Sequence, residues 1–74
     1  MRKHFETWRK ELGLTQQIVA DALGVTSQYY QQIEAGARQV KIDLSLATKL
    51  CTVFGVSLEK FMEAETTWLE TRRS

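Results

Sequence analysis

Three times in this chain a glycine is followed by an aliphatic residue and then by a hydroxyl residue: Gly13-Leu14-Thr15, Gly24-Val25-Thr26 and Gly55-Val56-Ser57. Glycine suits the left-handed residue that closes a helix. Thr or Ser two positions later suits the N-cap of the next one. Each aliphatic residue also has an apolar partner five positions on: Leu14 with Val19, Val25 with Tyr30, and Val56 with Phe61. That is the spacing of a hydrophobic staple across a helix start. Gly36 supplies a fourth stop, and Asp43 behind Ile42 a fourth N-cap. A chain punctuated in this way must stop and restart helices at short intervals.

The apolar spacing between these marks is helical throughout, and strand-like alternation is scarce. Phe5, Trp8 and Leu12 form one stripe, and Leu14, Ile18, Val19, Ala22 and Leu23 a second. Val25, Tyr30 and Ile33 form a third, and Ala47, Leu50, Cys51 and Phe54 a fourth. Leu58, Phe61 and Met62 begin a fifth that Trp68 and Leu69 continue. The pattern predicts an all-α fold of five helices, at about 2–12, 16–23, 27–35, 44–54 and 58–70. Residues 36–43 form the longest connection, and Glu70 to Ser74 are expected to fray. Residues 1–63 are expected to form the domain and 64–74 a C-terminal helical extension. Trp8, Leu12, Ile18, Leu23, Ile33, Leu50 and Phe54 are the expected core.

Seventy-four residues suffice for one domain. Hydrophobic residues at 43% and charged residues at 26% give a globular balance. The formal net charge is only +1, so any electrostatic attraction to a polyanion must be local. One cysteine, Cys51, leaves no internal disulfide, and one histidine, His4, leaves no His/Cys cluster for a metal. Cys51 is expected to be a small buried apolar residue rather than a redox sensor, and His4 to be exposed and inert. Apolar runs of two or three residues are far short of the roughly 20 that a spanning helix needs. Met1 to Glu6 has no apolar stretch of the kind a signal peptide carries. A soluble cytoplasmic protein without cofactor, metal or membrane contact is therefore expected. There is also no Gly-rich phosphate loop, no second histidine and no paired acid at a predicted cleft, so an enzyme is not expected. A core of this size is marginal without a disulfide or metal, which makes oligomerisation a natural means of stabilisation.

The second and third helices carry the functional signal. Two short helices joined by a tight turn containing glycine form a helix-turn-helix unit. Leu14-Thr15-Gln16-Gln17-Ile18-Val19-Ala20-Asp21-Ala22-Leu23-Gly24-Val25-Thr26 resembles the phage-repressor and Cro-type helix-turn-helix, the XRE family. The resemblance continues through Ile33-Glu34-Ala35-Gly36-Ala37-Arg38 and ends with Leu50-Cys51 and Phe54-Gly55-Val56-Ser57-Leu58-Glu59-Lys60-Phe61. Two departures stand out: Ile42-Asp43 replaces the Pro-Ser frequent before the fourth helix, and Ala35 replaces the polar residue frequent before the loop glycine.

The resemblance implies a five-helix lambda-repressor-like fold and binding of double-stranded DNA, with the third helix in the major groove. There the N-terminal residues of such a helix reach base edges, and Gln can pair with adenine in bidentate fashion. Ser27, Gln28 and Gln32 are the expected base contacts. Gln16, Tyr29, Gln31, Arg38 and Lys41 are the expected backbone contacts, with Arg2, Lys3 and Lys10 as further candidates. Residues 26–33 carry no charge, unlike a merely solvated helix, which usually carries charge pairs. By the same register Arg9 and Glu34 form a structural pair. The family resemblance points to a transcriptional regulator, most often a repressor, acting as a homodimer on a palindromic operator. Phe61, Met62, Trp68 and Leu69 are expected at a dimer contact, with folding of the tail onto its own domain as the other possibility. An antitoxin-like or anti-regulator protein with a protein partner, and a restriction–modification controller, remain open on the sequence.

Overall fold

A computed structural model describes residues 1–37 and 41–73. They form α1 (Lys3–Glu11), α2 (Gln16–Leu23), α3 (Ser27–Ala35), α4 (Leu44–Phe54) and α5 (Leu58–Arg73), with no strand among the described residues. The three inner helices have the expected bounds, and α5 continues three residues past the expected end at Glu70.

The local chemistry explains the bounds. Thr15, Thr26 and Ser57 accept the backbone N–H three residues on at 3.1 Å, and Asp43 does so at 2.8 Å. Each bond satisfies one of the donors that a helix start leaves free. At the end of α2, Gly24 is left-handed, its N–H bonds to Asp21 O and that of Val25 bonds to Ala20 O. This is a Schellman closure. Thr26 then caps α3 directly, so two bonded ends only two residues apart fix the turn between α2 and α3.

α2 packs on α3 and α4, α4 on α5, and α1 on α3. Between them lies a core of Phe5, Trp8, Val19, Ala20, Leu23, Tyr30, Ile33, Ala47, Leu50, Phe54 and Phe61. Phe5, Trp8, Phe54 and Phe61 join α1 to the α4–α5 corner with ring centroids 5.3–6.3 Å apart. Ala20 is fully buried.

Several expectations are corrected here. Leu12 and Ile18 are about half exposed. Leu12 is the C-cap residue of α1, beyond its last turn, and Leu14 packs against the core instead. Val19, Ala20 and Leu23 define the inward face of α2, and at about 100° per residue Ile18 falls on the opposite side. Phe61 is 1% exposed inside its own core, which removes it from the expected dimer contact. Trp68 is half-buried against its own domain, its indole N–H donating to Met1 O at 2.9 Å. Met62 and Leu69 remain exposed. α5 runs unbroken through residues 63 and 64, and Ala64 packs against the core.

Gly36 ends α3 in the left-handed region at φ +78°, and a Cβ there would lie 2.6 Å from Trp68 Cζ2. Gly55 has similar φ but open space around it. Gly36→Ala should therefore destabilise more than Gly55→Ala, whose cost is only the left-handed strain of about 1–2 kcal/mol. Urea unfolding of the two variants measures the difference, and equal losses would remove the Trp68 contact as its cause.

Candidate nucleic-acid interface

α3 has two faces of different chemistry. Tyr30, Ile33 and Glu34 are buried. Gln28, Gln31 and Gln32 are exposed, Tyr29 is partly exposed at 38%, and Ser27 is half-buried. Among the described residues no intramolecular side-chain hydrogen bond engages Ser27, Gln28, Gln31 or Gln32. By contrast, the exposed Gln17 on α2 donates to Asp21 at 2.8 Å. The outer face of α3 is thus a row of uncommitted amides and a hydroxyl, with no acidic residue in its first turn.

The inner face is organised by one carboxylate. Glu34 is 2% exposed and accepts Arg9 Nε at 3.0 Å, Arg9 Nη2 at 3.4 Å and the Tyr30 hydroxyl at 3.2 Å. Gln16 Nε2 also donates to it. Arg9 Nη1 reaches Leu14 O at 3.1 Å, tying the end of α1 to the start of α2. The hydrogen bond to Glu34 holds the Arg9 pKa above its ordinary value. Burial, followed by the charge of Glu34, pushes the Tyr30 hydroxyl well above the usual tyrosine range. Tyr30 therefore remains a neutral donor. The Arg9–Glu34 pair expected from the sequence is present, and it fixes α3 against α1.

Gln16 has two roles available. One amide hydrogen is committed to Glu34, which holds the side chain in place. A second amide hydrogen and the backbone N–H at the start of α2 remain as donors, and α2 has no acidic residue in its first turn. Such a helix start suits a phosphate oxygen. Lys41 is exposed ahead of α4. Arg38 lies outside the described residues.

A helix-turn-helix family model matches residues 5–61, most of the chain. The chain belongs to this family. It is a DNA-binding regulator of the Cro and repressor type, with an all-α lambda-repressor-like fold. Among curated proteins and solved structures none matches the chain significantly.

The helix-turn-helix protein also contains a cluster the sequence did not reveal. Arg2, considered above as a phosphate contact, is 6% exposed. Its Nε donates to Glu65 at 3.0 Å, its Nη1 to Ile33 O at 2.5 Å and its backbone N–H to Glu34 O at 2.7 Å. Its guanidinium lies 4.3 Å from the Trp68 ring centroid. His4 is not exposed and inert either: its Nε2 is 2.6 Å from Glu65 Oε1. Lys10 pairs with Glu6 at 3.7 Å on an exposed face, and Lys3 is exposed. Cys51 is half-buried, and burial raises its thiol pKa, so it is less ionised than a free thiol. No helix among the described residues is long and apolar enough to cross a membrane, and no group of His, Cys, Asp and Glu there could hold a metal.

Two outcomes follow for the buried ions. Arg9→Leu leaves the Glu34 carboxylate buried without its cation and should cost about 3–5 kcal/mol in urea unfolding, with Glu34→Gln in the same background recovering part of it. For Glu65, burial favours the neutral form, but the His4 hydrogen bond and the Arg2 charge together outweigh it and hold the carboxyl below its ordinary value. The stabilisation is then complete above the ordinary glutamate value of about 4.3 and is lost as pH falls through the lower folded-state value. Glu65→Gln should flatten this acid limb in a stability–pH series, and an unchanged limb would assign it to other carboxylates.

Proposed function

We propose that this protein is a sequence-specific transcriptional repressor that binds a palindromic operator as a homodimer. The uncommitted outer face of α3 carries this reading. A buried carboxylate holds the helix from behind, while Gln28 and Gln32 face outward and the half-buried Ser27 stands at the helix start, none of them with a side-chain partner among the described residues. In the major groove these three contact base edges, with Gln able to take adenine N6 and N7 together. Tyr29, Gln31, Gln16 and Lys41 contact the flanking phosphates, and Arg38, which follows α3 in the sequence, is assigned the same role. With a net charge of +1, binding rests on these local contacts and the helix starts rather than on bulk attraction.

The homodimer is supported by α5. Leu58, Met62 and Leu69 are 45%, 54% and 46% exposed and share one side of the helix. A second copy packed there would cover them by two-fold symmetry and present two α3 helices one DNA turn apart, at about 34 Å. Repression follows from occupancy, because a dimer on an operator overlapping a promoter excludes polymerase.

Selection of bound duplexes from a random library should recover a palindrome with half-sites about ten base pairs apart. Recovery of no motif would count against sequence reading and favour a protein partner. On the recovered site, Gln28→Ala should cost about 1–3 kcal/mol and relax the preference at one base pair, while Lys41→Ala weakens all duplexes alike. Equal losses of both variants on random DNA would overturn the assignment of Gln28 to a base.

A further inference from the structure

We propose that Arg2 is a positioning residue for the recognition helix, held in place by Glu65 and Trp68, so that the second half of α5 sets how α3 meets DNA. The proposal rests on α3 being the reading helix, as argued above.

Arg2 joins three elements. It precedes α1, and its backbone N–H and guanidinium bond to the last carbonyls of α3, Glu34 O at 2.7 Å and Ile33 O at 2.5 Å. A cation bonded to terminal carbonyls is favourable because the helix dipole leaves partial negative charge there. The guanidinium itself is oriented from α5. Glu65 accepts Nε at 3.0 Å on one edge, and the Trp68 ring covers a face with its centroid 4.3 Å away. Arg72 lies 5.0 Å from the centroid of the same ring. His4 Nε2 holds Glu65 from the α1 side at 2.6 Å. Trp68 also fills the space beside Gly36, the residue that closes α3.

α3 is thereby fixed at both ends. The Gly24–Thr26 turn sets its start, and its finish is held by the Glu34 side chain on one side and by Arg2 on the other. With Arg2 lost, only the Glu34 network holds the finish, the helix can tilt about that anchor and the turn, and its outer amides move relative to the bases they read. A hydrogen bond tolerates about half an ångström of displacement, so base contacts suffer first. Phosphate contacts from outside α3, those of Gln16 and Lys41, persist, while those of Tyr29 and Gln31 move with the helix.

The test uses the full chain. Arg2→Lys keeps the charge but loses the planar fork needed to serve Glu65 and Ile33 together. Trp68→Ala removes the stacked face and the filling beside Gly36. Thr52→Gly, on an exposed part of α4, is a control that destabilises that helix locally, through helix propensity and loss of the bond from its hydroxyl to Thr48 O at 3.1 Å. Residual dipolar couplings report the orientation of α3 relative to α2 and α4 in the free protein. Affinities for the selected duplex and for a scrambled duplex of the same composition report reading, at a temperature where circular dichroism shows every variant folded.

Arg2→Lys and Trp68→Ala should rotate α3, and their ratio of selected to scrambled affinity should fall about tenfold, the scale of one lost base contact. Their scrambled-duplex affinity should fall by a smaller factor than their selected-duplex affinity, since the phosphate contacts of Gln16 and Lys41 persist. Thr52→Gly should change neither readout. An α3 orientation unchanged in Arg2→Lys, or equal losses on both duplexes, overturns the positioning role and leaves Arg2 as a stabilising contact only. A parent protein that prefers no duplex refutes the repressor reading instead, and the dipolar couplings still decide whether Arg2 places the helix.

Discussion

The carboxylate of Glu34 is the interaction on which the rest of this fold depends. An ion at 2% exposure is costly to desolvate, and it is tolerated only where its lone pairs are met. Arg9 from α1, Gln16 from α2 and Tyr30 from α3 meet them. The three helices are thereby forced into one relative geometry. Apolar contacts alone are non-directional and would hold α3 near α1 without setting its angle. The buried pair contributes little net stability against an apolar substitute, but it discriminates strongly among packings, because any packing that separates Arg9 from Glu34 strands a charge.

The second polar cluster does the same work from the opposite side. Arg2, His4 and Glu65 tie the chain ahead of α1 to α5, and Arg2 continues the tie to the last carbonyls of α3. Glu34 belongs to both clusters, its side chain to the first and its backbone carbonyl to the second. In a 74-residue chain with a single cysteine, these two clusters supply cross-links that a larger domain would obtain from a deeper core. Among the described residues no buried side-chain nitrogen or oxygen lacks a partner, which is the condition for such clusters to specify a structure rather than loosen it.

What was legible in the sequence was local. The caps at Thr15, Thr26, Asp43 and Ser57 each act within three residues, and they locate every helix start after α1. Arg9 and Glu34, 25 residues apart, were visible only through the register of the family pattern. Arg2 and Glu65 carried no such register. They are 63 residues apart, and a cation near the start of a chain has the same local sequence whether it is solvated or buried. Trp68 was visible as an apolar residue needing cover, and within the chain it finds a partner in Met1, ahead of α1, which no local pattern indicates. Ile18 and Leu12 were misplaced because a stripe of apolar spacing leaves uncertain which of two neighbouring residues turns inward. Val19 and Leu14 take those places.

The same periodicity explains how nine residues both hold α3 and leave it free to read. Successive side chains turn by about 100°, so positions three and four apart share a face. Tyr30, Ile33 and Glu34 fall on the inner face, and their partners are all within the chain. Gln28, Gln31 and Gln32 fall on the exposed side, with the half-buried Ser27 at the helix start on its border, and none of the four has a side-chain partner among the described residues. Substitution on the outer face therefore leaves the Glu34 network intact, so binding preference can change without a change of fold. Substitution on the inner face acts through geometry, moving every outer side chain at once. The terminal anchors extend this division beyond the helix itself: residues as distant in sequence as Arg2 and Trp68 belong with the inner face, because what they fix is the frame in which the outer face is read.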